Sequence, residues 1–169
     1  MRICLAVILL SCLAAGAPAF ACGPEVRIQF SEDSPDRFRI AFTRGLKLRL
    51  VALTIDLGGS AAGAIFDDHN GLEMQSPSPS GAKMSSIRYA GTTVRLTFEN
   101  FLETGTLNFH SDLDDNGLGS DPDQNHLAEG ELAGASASAT LIDSSGRRID
   151  INGRFDQKNH ARLGDRACV

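Results

Sequence analysis

Tryptophan is absent and tyrosine occurs once, at Tyr89, so the flat aromatic platforms on which sugars stack are missing. There is no Gly-x-Ser-x-Gly elbow, which excludes the nucleophile frame of the common serine hydrolases. No glycine-rich phosphate loop opens a helix. The four histidines, His69, His110, His126 and His160, are scattered, and neither His-x-x-x-His nor Cys-x-x-Cys occurs to build a zinc site. After residue 21 no segment approaches the ~20 apolar residues of a membrane-spanning helix. From Leu96 to Gly146 there is no lysine or arginine at all. These absences leave no catalytic constellation to name, and the chain reads as a non-enzyme.

What is present begins with an export signal. Arg2 precedes an uncharged, apolar run to Ala15 interrupted only by Ser11, and both Ala17-Pro18-Ala19 and Ala19-Phe20-Ala21 satisfy the small-x-small rule for cleavage. Residues 1–21 are therefore expected to be a cleaved signal peptide, with an acyl anchor on Cys22 as the competing reading. Residues 22–169 then form one domain outside the cytoplasm, periplasmic or secreted. Of four cysteines, Cys4 and Cys12 leave with the signal. Cys22 and Cys168 remain at the two ends, and in an oxidising compartment they are expected to pair.

Period two dominates the remaining pattern, as it does where one side of a strand is buried and the other wet. Val26, Ile28 and Phe30 alternate with polar residues, and Phe38, Ile40 and Phe42 alternate with the polar or small residues Arg39 and Ala41. Further runs are Val94-Leu96-Phe98, Leu107-Phe109, Ala135 to Leu141, and Ile149-Ile151. Leu46, Leu48 and Leu50 keep one phase, while Leu53, Ile55 and Leu57 keep the other, which predicts a bulge near Val51. Turn formers separate the runs, among them Gly58-Gly59-Ser60, Gly91, Gly105 and Ser144-Ser145-Gly146. No ten-residue stretch carries a helical period. Eight or nine short strands predict an all-β fold, an antiparallel β-sandwich of Ig-like or jelly-roll type.

Charge is segregated. The stretch without bases holds ten acids, including Asp112, Asp114, Asp115, Asp121 and Asp123. Asp112, Asp114, Asn116 and Gly117 satisfy Asp-x-[Asp/Asn]-x-[Asp/Asn]-Gly, the opening of a calcium loop, and position twelve is Asp123. Calcium collects six to eight oxygens, so alternate side chains turn inward while glycine permits the sharp bend. No helices flank the segment, so an EF-hand is excluded. It reads either as a β-borne calcium loop with Asp112, Asp114, Asn116 and Asp123 as ligands, or as an acidic solvated connection. Conversely, Arg37, Arg39, Arg44, Lys47 and Arg49 form a basic cluster, with Arg37 and Arg39 on the outward side of one strand. Such a row protects a sheet from mispairing or binds an anionic polymer or headgroup. Net charge of −5 disfavours nucleic acid as the partner.

Three stretches carry a resemblance. Asp36-Arg37-Phe38, the run Thr54-Ile55-Asp56-Leu57-Gly58-Gly59-Ser60-Ala61-Ala62-Gly63-Ala64-Ile65-Phe66-Asp67, and Phe109-His110-Ser111-Asp112-Leu113-Asp114-Asp115 are similar to bacterial exported proteins of the aggregation factor core family. The resemblance implies a secreted β-rich protein engaged in cell–cell or matrix association, and implies no catalytic residue or ligand. The expectation is a non-catalytic exported binding or adhesion module whose partner is a cell-surface or matrix component. The alternatives are a secreted hydrolase with an unrecognised site and a periplasmic structural partner of a surface assembly.

Overall fold

A computed structural model describes residues 23–31, 36–44, 47–66, 74–75, 81–111, 113–114 and 130–164. Twelve strands occur among them: β1 Glu25–Ser31, β2 Arg37–Arg44, β3 Arg49–Asp56, β4 Ile65–Phe66, β5 Met74–Gln75, β6 Ala82–Ala90, β7 Thr93–Phe101, β8 Thr106–His110, β9 Leu113–Asp114, β10 Ser136–Ile142, β11 Arg148–Arg154 and β12 His160–Gly164. Three of these have only two residues, so nine are of ordinary length.

The strands form two five-stranded antiparallel sheets. Sheet I has the order β12-β1-β2-β8-β5 and sheet II the order β11-β10-β3-β7-β6, while β4 and β9 pair separately. The sheets pack face to face as a β-sandwich because the alternating apolar sets point at each other. In sheet I, Val26, Ile28 and Phe30 stand opposite Phe42, Ile40 and Phe38, and all are buried. In sheet II, Leu53 and Ile55 stand between Leu96 and Val94 on one side and Ala139 and Ala137 on the other, again all buried. Every phenylalanine among the described residues is buried. Phe38 stacks on Phe109 at 4.8 Å, and Phe98 meets Phe101 edge to face at 5.0 Å. Each such ring stabilises by about 1.5–3 kcal/mol through area removed from water.

The phase change foreseen near Val51 is a bulge. Thr140 lies opposite Ala52, but the next residue, Leu141, lies opposite Leu50, so Val51 is the extra residue in β3. The bulge keeps both Leu50 and Leu53 in the core although they are three residues apart. The small-residue run from Ala133 to Ala139 is a close-packed strand only from Ser136 onward; Ala133 and Gly134 belong to the preceding turn.

One edge of the sandwich is sealed. The chain leaves β11 in sheet II, turns through residues 155–159 and enters β12 in sheet I. Asp156 organises this corner: one carboxylate oxygen accepts the amides of Lys158 (2.9 Å) and His160 (3.0 Å). Gly153 lets the two sheets touch here, since a Cβ on it would fall 2.2 Å from the Arg162 carbonyl oxygen.

Candidate functional site

The alternation that buries one side of sheet I sends Arg27 and Gln29 out of β1, Arg37 and Arg39 out of β2, and His160 and Arg162 out of β12. Pairing then assembles them. Arg27 is opposite Arg162, Gln29 lies between His160 and Arg39, and Ser31 is opposite Arg37. Beside the sealed edge lies an open groove of about 540 Å³ lined by Arg27, Gln29, Arg154, Asp156, His160 and Arg162 over Ile28 and Ala161. It holds three arginines against one carboxylate.

Beneath the arginines lies Glu25, only 1% exposed. Its carboxylate accepts from Arg27, from Arg44 and from the Thr43 hydroxyl at 3.1 Å, with Arg162 Nε 3.9 Å away. Burial pushes the Glu25 carboxyl upward, but the bonds from Arg27, Arg44 and Thr43 outweigh it and hold the group below the usual range. Glu25 therefore stays ionised and spaces the arginine heads without cancelling all their charge. Asp156 follows the same rule: burial raises its pKa, while the amides of His160 and Lys158 lower it further. Both carboxylates act as fixed acceptors, an arrangement suited to positioning cations and poorly suited to donating protons.

The sequence named Arg37, Arg39, Arg44, Lys47 and Arg49 as one basic cluster, and the fold divides it. Arg37 and Arg39 lie on the outer face of sheet I, Arg44 is drawn onto Glu25, Lys47 sits in a turn at φ 67°, and Arg49 begins β3 in the other sheet. Of the groove residues, the sequence marks only His160, as an isolated histidine, and gives no signal for Arg27, Arg154 or Arg162. They are far apart in sequence, and only the β1–β12 register and the β11–β12 corner bring them together.

The acidic segment presents differently. Asp112, Asn116, Asp123, Cys22 and Cys168 lie outside the described residues, as does the segment 1–21. Asp114 is described only as backbone, in β9 opposite Ile65. Among the described residues no group of three or more His, Cys, Asp or Glu side chains could hold a metal ion. The stems of the acidic segment are nevertheless tied by one short stretch. Ile65 and Phe66 pair with Asp114 and Leu113 before it, while the amides of Ala61 and Ala62 donate to the carbonyls of Ala133 (3.0 Å) and Glu131 (3.1 Å) after it. The Ser60 hydroxyl accepts the Ala64 amide at 2.8 Å and fixes the turn between these contacts. The stretch Leu57 to Phe66 thus clamps both ends of the acidic segment.

Compared with known proteins, the chain matches no family model, and no curated protein or solved structure was found to be similar to it.

Proposed function

We propose that this protein is an exported, non-catalytic binding or adhesion module that engages an anionic cell-surface or matrix component through the outer face of sheet I. The observation that carries the reading is the groove of Arg27, Arg154 and Arg162, cationic in a chain whose net charge is −5. Such local concentration against the overall sign raises the encounter rate with an anionic partner and orients it. Export follows from the signal pattern in residues 1–21. The resemblance to exported aggregation factor core proteins points the same way. Calcium belongs to the proposal as the ion that orders the segment containing Asp112, Asp114, Asn116 and Asp123, on the strength of their spacing.

Binding to an immobilised acidic polysaccharide, with neutral dextran as the reference, tests the reading at about 0.15 M salt, where exposed charges farther apart than ~8 Å are largely screened. The wild-type protein is retained on the acidic matrix and eluted by salt, and R27S/R162S is retained much less. Equal retention on neutral and acidic matrices would sink the proposal.

A further inference from the structure

On the opposite face of the molecule, Arg88 in β6 and Arg95 in β7 stand directly across from each other in register. Directly opposed residues in an antiparallel pair have Cβ atoms about 4.5–5.5 Å apart, and like charges placed so repel. Nothing described on this face relieves the repulsion. Of the carboxylates on the adjoining rows, Glu99 is paired with Lys83 at 2.5 Å. Asp56 is taken by the Gly58 amide at 2.9 Å and the Thr92 hydroxyl at 3.1 Å. Beyond Arg95 the next residue in the row is Thr54, and beyond Arg88 the sheet ends, because β6 is an edge strand.

The two guanidinium groups share a small recess of about 140 Å³ with Ser86 and Thr97, whose hydroxyls are 2.7 Å apart. The strand is irregular just before this point, with register shifts between Lys83 and Met84 and between Met84 and Ser86, and regular from Ser86 to Ala90. The pair is thus held on an ordered stretch of strand. Two arginine forks, two hydroxyls and a recess open at one side make a receptor for a group with several acceptor oxygens and negative charge.

We infer that Arg88, Arg95, Ser86 and Thr97 form an oxyanion-binding subsite on the outer face of sheet II, taking a sulfate, phosphate or carboxylate group. It is separate from the sheet I groove and does not depend on that groove's function. With an oxyanion bound, the repulsive pair becomes a bridged one, so the anion stabilises the protein through this site, and loss of either arginine removes the effect.

Amide spectra recorded while sodium sulfate is titrated against sodium chloride of equal ionic strength test the inference. The amides of residues 86–88 and 95–97 shift saturably with sulfate alone. In R88T the sulfate affinity at these amides falls about tenfold or more, as expected for losing a charge-assisted contact, while any response at residues 160–162 is retained. R88T also melts higher than wild type in dilute chloride, because the opposed charges are gone. A parallel titration with dextran sulfate separates the sources: the same amides shifting at lower sulfate-group concentration assigns the site to a polymer-borne group, and shifts confined to inorganic sulfate assign it to a small anion. If these amides do not move with either probe, or move identically in R88T, the subsite does not exist.

Discussion

Gly59 and Gly134 meet backbone to backbone: a Cβ on Gly134 would lie 2.6 Å from the Gly59 carbonyl oxygen, and one on Gly59 would lie 3.0 Å from the Gly134 oxygen. Gly134 also has φ +93°, a conformation that side chains resist. G134A should therefore destabilise by about 2–3 kcal/mol, combining steric and backbone strain. G91A is the control, with φ +61° but open space around it, and should cost only about 1 kcal/mol. Urea unfolding of the two variants decides; equal costs would mean that the Gly59 contact is easily relaxed.

Glu25 makes stability depend on acid. Its folded pKa lies below the ordinary value of 4.5, so the stabilisation is fully present above that pH and is lost as pH falls through the folded value. E25Q should cost about 2 kcal/mol at neutral pH, since it removes the negative charge and sets an amide NH2 in place of one acceptor oxygen against the arginines, moderated by their partial exposure. The variant should also lose less stability than wild type as pH falls below 4.5. Asp156 is shifted in the same direction and remains in both proteins, so the difference between the two melting profiles isolates Glu25. Parallel profiles would show that its ion pairs contribute nothing.

Calcium ordering of the acidic segment is testable by melting. At ten times the dissociation constant, mass action contributes about 1.4 kcal/mol, or roughly 3–5 °C. Calcium should raise the melting temperature, chelator should reverse the rise, and D114A should abolish it. Magnesium should act less, because its octahedral shell fits a flexible carboxylate loop poorly. Identical melting in millimolar calcium and in chelator would leave residues 112–123 as a solvated connection.

Glu25 pairs with Gly164, so Cys22 lies three residues before, and Cys168 four residues after, two residues that face each other. A bridge between them closes nearly the whole domain and stabilises by about 4–5 kcal/mol on the chain-entropy account. Reduction should lower the melting temperature accordingly, and mass analysis of alkylated native protein should find no free thiol. Two alkylated cysteines in protein recovered from the cell envelope would disprove the pairing.

The strands with long alternating runs were legible because one side of each is buried and the other wet. The Val51 bulge was legible for the same reason, since an inserted residue shows as a break in phase. β6 was not, because its irregular pairing with β7 and the polar Ser85 and Ser86 erase the alternation. β12 was missed because only Ala161 and Leu163 mark its inward side. Of the candidate surface, Arg37 and Arg39 could be placed outward from their spacing alone. The meeting of Arg27 with Arg162, and of Arg88 with Arg95, depends on which strands pair and in what register, and period two carries no such information.

The first and last long strands described, β1 and β12, are antiparallel neighbours, and the chain enters one and leaves the other at the same end of the seam. A load pulling these two ends apart acts across the ladder, so it breaks one rung at a time, beginning at Glu25 and Gly164. A tethered sandwich connected in this way unzips under low force, whereas strands loaded along their length must shear all rungs together. A covalent tie outside the first rung would carry that load itself. For a module held between a cell and its surroundings, the proposed bridge between Cys22 and Cys168 would then serve as a mechanical clasp.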